Sequence, residues 1–490
     1  MMLDKLFKQI LQVSKKTNTD IYVVGGFVRD ELMGLEHKKD IDFVVIGSGL
    51  EFARAFAVEV GEHAGTLIEF PDFDTARFVF TQEEKVVAEN GEEYIKKNVL
   101  LEIEFAGART EKYDADSRKP IVQSTSLEED LKRRDFTVNA MAQQVIASGL
   151  SKKIIDPFGG QEDLKRKILR TPLDPNETFS EDPLRMLRAT RFSAQLNFEI
   201  EPKTYQAIIG NRHRMKIISK ERIQEELMKL FASDVPSVGL KILTDTKLIA
   251  EFLPEVLDLG GVEEVKGYTH KNNLLHTFAV VDNIAQWSDK PLLRFAGLMH
   301  DIAKPQTKEF VKGRGWTFDM HEHLGKKMTK DIFKRLRMSL DDTKYVMKLV
   351  RWHLQPIALM DDGITDSAVR RLIVNLGDDL HDLLILCRAD VTTGNQYKKE
   401  KRLRNYDKLE TRIAEVLEKD KMREFQSPFR GDEIMQACGL KPGPTVGKIK
   451  KALEEAILDG VVPNEYEAVK EYFEKIKGDY LEKAQEWERL

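Results

Sequence analysis

The sequence predicts an α+β protein, with an α/β domain over residues 1–160 followed by an all-α remainder. Three observations predict it. The stretch IYVVGGFVRDELMGLEHKKDIDFVVIG (21–47) reads as strand, Gly-Gly turn, short helix and strand, because β-branched runs flank the glycines and charged residues fill the middle. More β-like segments follow at 66–70, 76–81, 99–105 and 143–146. After the turn Asp156-Pro157-Phe158-Gly159-Gly160 the apolar spacing changes to roughly 3.6 and stays helical almost to Leu490, broken only by Pro/Gly punctuation.

A chain of 490 residues suggests three or four domains, at roughly 100–200 residues each. The pattern changes place them at 1–160, 161–250, 251–395 and 396–490. Apolar residues make up 41% and charged residues 32%, which excludes a disordered chain. No apolar run approaches the roughly 20 residues needed to span a bilayer, and MMLDKLFKQILQVSKKTN reads as an amphipathic helix, unlike a signal peptide. A cytoplasmic protein without membrane partners is expected. Cys387 and Cys438 stand far apart, which leaves neither a disulfide framework nor a cysteine zinc site.

The net charge of −5 conceals basic stretches: 203–222 holds six Lys/Arg against one Glu, and 398–404 holds five against one. Contact with nucleic acid is compatible with this local balance. Seven of the ten histidines lie between His270 and His381, a clustering that suggests a metal site.

Asp40 and Asp42 stand two apart at the start of the apolar strand IDFVVI, and a strand's period of two places both carboxylates on one face. Hard oxygen donors suit Mg²⁺, and two such ions roughly 3.5–4 Å apart can activate a hydroxyl and stabilise a leaving pyrophosphate. Glu104 in LLEIEFAG is the favoured third acid, although Glu102 has the same parity and sequence alone does not separate them. Gly25 and Gly26 offer bare backbone N–H groups to a triphosphate, with Arg29 close behind to pair with its oxygens. No GxGxxG is present, so this is not a dinucleotide-binding fingerprint.

GGFVRD followed by DID resembles the signature of polymerase β-like nucleotidyltransferases, in the class II branch that contains bacterial CCA-adding enzymes and poly(A) polymerases. RRDFTVNA (133–140) is similar to that family's RRDFTxNA motif; the resemblance implies ribose contacts for Asp135 and Asn139 and phosphate contacts for the arginines, Arg134 among them. DPFGG (156–160) resembles the family's hinge between a head and a helical neck. EDPLR (181–185) resembles its EDxxR motif. Physically, Asp182 is a plausible N-cap before Pro183, which leaves Asp182 and Arg185 on neighbouring faces one turn apart. An Asp acceptor beside an Arg fork matches the Watson–Crick edge of cytosine, and after a small rotation that of adenine, but not those of guanine or uracil. Arg188 and Arg191 continue the row toward triphosphate or RNA backbone.

His276, His300-Asp301 and Asp390, spread over separate helical segments, resemble the HD phosphohydrolase superfamily, whose matching residues ligate a divalent cation. His321 and His353 match additional histidines of HD proteins, which serve a second metal or a substrate phosphate; His270 and His323 match no family position. Near the C-terminus, GLKPGPTVGKIKKALEEAILDG opens a helix with Lys448, Lys450 and Lys451 near its start and resembles the RNA-contacting tail of CCA-adding enzymes. It is not a P-loop, because Ile449 stands where Mg²⁺ would need Ser or Thr.

The resemblances together imply a nucleotidyltransferase head and helical neck, an HD body and a helical tail. The expected activity is template-independent addition of CCA to tRNA 3′ ends from CTP and ATP, using Mg²⁺ in the head and a second divalent metal in the HD body. That body would add a phosphohydrolase activity toward RNA ends such as 2′,3′-cyclic phosphates. The rivals are a poly(A) polymerase, an enzyme adding only CC or only A, and an RNA-end phosphohydrolase whose head merely binds nucleotide. The loop associated with CC-adding enzymes falls within 107–125.

Overall fold

The computed structural model describes residues 2–35, 40–61, 64–87, 93–112, 121–261, 264–265, 268–269, 272–360, 365–420 and 427–487. His270 and the core of the 107–125 loop lie outside them. The chain divides into two compact units, Met1–Pro254 and Glu255–Leu490.

The first unit begins with helix α1 (Met2–Thr17), strand β1 (Ile21–Val24), α2 (Gly26–Leu32), β2 (Asp40–Val45) and α3 (Gly49–Val60). There follow β3 (Gly65–Phe70), β4 (Thr75–Val87), β5 (Glu93–Gly107), β6 (Arg109–Lys112), β7 (Ile121–Ser124), α4 (Leu127–Lys132), β8 (Ala142–Ile146) and β9 (Gly149–Ile155). Seven strands form one sheet in the order β3-β4-β5-β2-β1-β8-β9, while β6 and β7 pair separately. Of the seven-stranded sheet's ladders only β2–β5 is parallel.

Strand alternation gives this sheet two different faces. Ile41, Phe43 and Val45 join Leu6, Phe7, Ile10 and Val13 of α1 and Phe52 and Phe56 of α3 in one core. Phe43 and Phe105 stack with ring centroids 5.3 Å apart, and Phe52 and Phe56 close on Phe105 at 5.2 and 5.1 Å. On the other face Val44 belongs to a smaller cluster with Val24, Leu131 and Ala140. Asp40 and Asp42 share the parity of Val44, so the apolar run that builds the core turns both carboxylates to the opposite side.

The unit continues with α5 (Gly160–Arg166), β10 (Ile168–Leu169), α6 (Pro175–Glu181), α7 (Leu184–Leu196), β11 (Glu199–Ile200), α8 (Pro202–Asn211), α9 (Lys220–Phe231) and α10 (Pro236–Asp245). The DPFGG segment caps α5: Asp156 accepts from Gly160 N at 2.6 Å and from Gln161 N at 2.9 Å. A Cβ on Gly160 would meet Thr137 O at 2.2 Å, so only glycine allows this approach.

The second unit contains α11 (Glu255–Asp258), β12 (Glu264–Val265), β13 (Tyr268–Thr269), α12 (Asn273–Ala285), α13 (Pro291–Met299), α14 (Lys304–Thr307), β14 (Glu309–Val311) and β15 (Gly315–Thr317). Then come α15 (His321–Arg335), α16 (Leu340–Trp352), α17 (Gln355–Ala358), α18 (Asp366–Leu376), α19 (Leu380–Ala389) and α20 (Gln396–Asp420). The last helices are α21 (Gly431–Cys438), α22 (Pro444–Leu458), α23 (Tyr466–Glu482) and α24 (Ala484–Trp487). Pro444 opens α22 as the lysine-bearing spacing predicts.

Beyond residue 160 the chain is not purely helical. β10 pairs with β11 in parallel, and β12–β13 and β14–β15 are antiparallel pairs. The last is a hairpin in which Gly313 takes a positive φ of 87° and Phe310 meets Trp316, a turn and cross-strand pair that helical periodicity does not register.

Candidate active sites

In the first unit a cleft of about 340 Å³ opens beside the acidic face of the sheet, lined by Gly25, Arg29, Asp40, Asp42, Asn139 and Arg188 among others. Gly25 sits at its floor with φ 73°, and a Cβ there would stand 3.1 Å from Arg134 Nη1 and 3.8 Å from Asp42 Oδ2. Glycine therefore meets both a conformational and a spatial demand. Asp42 is aligned with Glu104 and Asp40 with Glu102 in the parallel β2–β5 ladder. Arg77 bridges both glutamates, at 3.4 Å to Glu102 and 3.1 Å to Glu104. Desolvation in the cleft, followed by the negative charge of Glu104, raises the pKa of Asp42 above the ordinary carboxylate value. Hard carboxylate oxygens of this kind suit a divalent cation such as Mg²⁺.

Arg29 and Arg188 of the cleft are joined through Asn139 and Asp135. Arg29 donates to Asn139 Oδ1 at 2.7 Å and to Asp30 at 2.6 and 2.8 Å. Asn139 donates to Asp135 Oδ1 at 3.0 Å, and Arg188 donates to Asp135 Oδ2 at 2.6 and 2.8 Å. Burial opposes the charge on Asp135, but Arg188 and Asn139 outweigh it and hold its pKa at about 2. Arg191 is fixed by Glu226 at 2.5 Å, and its guanidinium carbon lies 3.9 Å from the Phe192 ring centroid.

Asp182, Arg185, Asp42 and Glu104 line an adjoining cleft. The expected capping differs in detail: α7 starts at Leu184 with Pro183 before it, and Asp182, at the end of α6, accepts from Leu184 N at 3.1 Å. The chain thus kinks between two helices with Asp182 at the junction. Arg185 donates to Arg133 O at 2.7 Å and lies 3.1 Å from Glu181, while Asp182 Oδ2 accepts from Arg222 at 2.8 Å.

In the second unit the expected HD residues meet because most sit at helix ends. His300, His353 and Asp390 directly follow α13, α16 and α19, His321 opens α15, and His276 lies early in α12. Three imidazoles are oriented identically: Nδ1 of His300, His321 and His353 each donates to the carbonyl three residues back, at 2.7 Å, and His276 Nδ1 lies 2.7 Å from Thr392 Oγ1. Nε2 is therefore the inward atom of all four.

Among the described residues two sets of three donors lie within 4.8 Å of one another, His276–His300–Asp390 and Asp301–His321–His353. Asp301 stands between them, with Oδ2 at 3.2 Å from His300 Nε2 and Oδ1 at 3.3 Å from His321 Nε2. His300 Nε2 is buried without a hydrogen bond, as expected of a nitrogen reserved for a metal. Burial, then the nearby His300, push the pKa of His353 down to about 3, so it is a neutral donor. This nitrogen-rich set with two carboxylates fits divalent transition ions. Asp40, Asp42 and Glu104 are spread more widely and do not form a third such set.

Three family models match the chain. Residues 21–170 match the Poly A polymerase head domain, 197–259 the "Probable RNA and SrmB- binding site of polymerase A", and 273–395 the HD domain. The A-adding tRNA nucleotidyltransferase of Deinococcus radiodurans is 33% identical over 360 residues, covering 70% of this chain and 78% of its own. The chain belongs to the tRNA nucleotidyltransferase and poly(A) polymerase family. A CCA-adding enzyme of Anoxybacillus flavithermus is 28% identical over 484 residues, covering 96% of this chain and 97% of its own. The Bacillus stearothermophilus CCA-adding enzyme, in a structure with CTP, has the same fold with a TM-score of 0.58 at 23% identity, covering 96% of this chain and 97% of that one.

Several residues of this nucleotidyltransferase's clefts carry no motif signal. Glu226 and Arg222, both on α9, reach Arg191 and Asp182 across 35 and 40 residues. Lys304 was within reach of sequence reasoning, since it follows Asp301 by one helical turn and its Nζ lies 2.6 Å from Asp301 Oδ2. The basic stretch 203–222 is partly consumed internally, with Arg214 donating to Ser180 O at 2.9 Å and Arg222 bound to Asp182. In 398–404, by contrast, Lys398, Lys401, Arg402 and Arg404 are exposed on α20. Lys448 lies 3.8 Å from the Trp487 ring centroid, and Lys450 and Lys451 face Glu454 and Glu455 at 3.7 and 3.9 Å. Among the described residues no helix is long and apolar enough to cross a membrane.

Proposed function

We propose that this chain completes tRNA 3′ ends by adding CCA from CTP and ATP without a nucleic-acid template, and that its HD unit hydrolyses phosphate esters at RNA ends. The observation that carries the first reading is the adjacency of two clefts sharing Asp42, Arg134, Asp135 and Arg188, one rich in phosphate-binding groups and the other holding Asp182 and Arg185. Asp40 and Asp42 would hold Mg²⁺, which supplies activation of the RNA 3′-hydroxyl and neutralises the departing pyrophosphate. Glu104, aligned with Asp42, is the third acid of this reading and Glu102 is not, because Glu104 lines the cleft with Asp42.

The remaining roles follow from the donors. Gly25 and Gly26 admit the triphosphate close to backbone, and Arg29, Arg134, Arg188 and Arg191 bring positive charge to it. Asp135 and Asn139 orient the ribose. Asp182 accepts from, and Arg185 donates to, the base edge, with Arg222 restraining Asp182. The 3′-oxygen attacks the α-phosphorus and pyrophosphate leaves in line. In the HD unit, His276, His300 and Asp390 would hold one divalent ion and Asp301, His321 and His353 a second. Bound ions there supply an activated water for attack on a 2′,3′-cyclic or terminal phosphate.

The reading is tested on a tRNA transcript ending before CCA, supplied with Mg²⁺ and each nucleotide separately and together, followed by sequencing of the 3′ ends. Termination at CCA is expected. Long A tails, CC alone or A alone would assign the chain to the corresponding relative; the A-adding Deinococcus similarity makes the last the nearest competitor. Asp42→Ala should abolish incorporation while tRNA binding stays near normal, and preserved turnover in that variant would refute the metal assignment.

A further inference from the structure

The HD donors are unequally covered. Asp390 leaves 26% of its side chain open to solvent, whereas His276, His300, Asp301, His321 and His353 leave 7% or less. The site therefore opens at Asp390. From there the chain passes Thr392, whose hydroxyl lies 2.7 Å from His276 Nδ1, and enters α20 at Gln396. The same helix is fastened to the end of α19 that precedes Asp390: Arg388 donates to Asp407 and to Glu410, each at 2.8 Å, and stands 5.6 Å from the ring centroid of the buried Tyr406. α20 and the HD donors belong to one compact unit.

α20 has two unlike faces. Tyr406, Leu409, Ile413 and Val416 are buried. On the opposite side Tyr397, Lys401, Arg404 and Lys408 follow one another at spacings of four, three and four, which at 3.6 residues per turn is a single stripe. All four are exposed, Tyr397 by 69%. Acids of the helix do not neutralise this stripe, because Arg388 takes Asp407 and Glu410, and Glu400 accepts from Gln396 at 2.9 Å. Among the described residues no ion pair or hydrogen bond engages the side chains of Lys401, Arg404 or Lys408. The stripe turns acidic at Glu415, so its cations lie at the end of the helix nearer Asp390 in the chain.

Three cations in a row beside an exposed ring match a phosphodiester strand: the charges pair with backbone phosphates and the ring stacks on a base. The row extends about 16 Å along the helix axis, at 1.5 Å per residue, which a single nucleotide seated among the HD donors is too short to follow. We propose that the Tyr397, Lys401, Arg404 and Lys408 face of α20 holds the RNA strand whose 3′ end enters the HD site at Asp390, so that the HD unit acts on RNA ends in preference to free nucleotides. This rests on the hydrolase reading of the HD unit and names its substrate class. The cations position the backbone without reading sequence, and Tyr397, the member nearest Asp390 in the chain, takes a base close to the end. Contacts made so far from the reacting phosphate act equally on ground and transition states, and therefore appear in KM and not in kcat.

The test uses the full chain with Mn²⁺, Co²⁺ or Ni²⁺ and two substrates, a tRNA transcript ending in a 2′,3′-cyclic phosphate and a 2′,3′-cyclic mononucleotide. The unaltered chain should favour the transcript in kcat/KM. Combining Lys401→Gln, Arg404→Gln and Lys408→Gln should raise KM for the transcript at least about tenfold and flatten its log–log salt dependence by about two, at roughly 0.7 per phosphate contact on a single strand. Its kcat and the hydrolysis of the mononucleotide should stay within about twofold. Tyr397→Ala should raise the transcript KM at least about fivefold, and Tyr397→Phe should restore it; thermal melts check that the variants fold. An unchanged KM for the transcript, or equal losses on both substrates, would overturn the grip and leave the hydrolase reading intact. A KM for tRNA that rises in nucleotide incorporation and not in hydrolysis would overturn it as well, since the face would then serve the head. Hydrolysis of neither substrate by the unaltered chain would overturn both.

Discussion

Asp135 and Arg188 stand 53 residues apart and are joined by two hydrogen bonds, from Arg188 Nε at 2.8 Å and Nη2 at 2.6 Å to the single oxygen Oδ2. The pair fastens the loop after α4 to α7, and its other carboxylate oxygen carries Asn139 at 3.0 Å. The bonds that hold this loop to α7 therefore belong to groups that line the cleft.

Removing Asp135 costs two charge-assisted hydrogen bonds and leaves Arg188 with Glu226 at 3.7 Å, so Asp135→Ala should destabilise the first unit by about 2 kcal/mol in urea unfolding. The pKa of Asp135 is depressed to about 2, so its contribution is fully present above the ordinary carboxylate pKa and is lost as pH falls through about 4 toward 2. The stability difference between the wild-type chain and Asp135→Asn should accordingly shrink over that acid range. A difference independent of pH would show that Asp135 is not charged in the folded state.

Gly25→Ala tests the floor of the cleft. The residue holds φ 73°, and the added methyl would come within 3.1 Å of Arg134 Nη1. Backbone strain of roughly 1–3 kcal/mol should combine with displacement of Arg134 to raise KM for nucleotide at least about tenfold. Unaltered KM in a folded variant would remove Arg134 from the triphosphate site.

The carboxylate pair, the glycine turn and the HD donors were legible because each follows from a local rule: strand parity, a positive-φ turn, or histidines concentrated in one stretch. The antiparallel pairing of β4 and β5 extends the β-like segments well beyond their apolar cores, since ladder bonds order polar residues that have no strand periodicity. Fixing Asp182 and Arg191 from α9 was illegible for a different reason. Arg222 and Glu226 look like ordinary members of a charged amphipathic helix, and only tertiary packing aims them at the cleft. The division of the HD donors into two sets depends on which oxygen of Asp301 faces which imidazole, a distinction below the level of residue spacing.

Arg222→Met is predicted to loosen base selection more than catalysis. Arg222 donates to Asp182 Oδ2 at 2.8 Å while Leu184 N holds Oδ1 at 3.1 Å, so both carboxylate oxygens have a positioning partner. With one partner gone, discrimination of CTP and ATP against UTP and GTP should fall by about tenfold, the effect of one lost restraint of about 1.4 kcal/mol, with kcat for CTP changed far less. An equal fall for all four nucleotides would instead make Arg222 a phosphate contact.

His300→Ala should separate nucleotide incorporation from the hydrolysis proposed for the HD unit. The Nε2 of His300 is a buried nitrogen without a hydrogen bond, and Nδ1 is already committed to Gly297 O at 2.7 Å, so the substitution removes a donor of the proposed metal site whose loss no neighbouring bond replaces. Metal affinity in the HD unit should drop by about 10–100-fold, and hydrolysis of a 2′,3′-cyclic phosphate with it. The substituted residue lies in the second compact unit and Asp42 in the first, so nucleotide incorporation should remain within about twofold. Asp42→Asn should give the converse pattern. Measuring both reactions on both variants distinguishes two independent metal centres from one shared activity: parallel loss of incorporation and hydrolysis in either variant would reject the independence argued here.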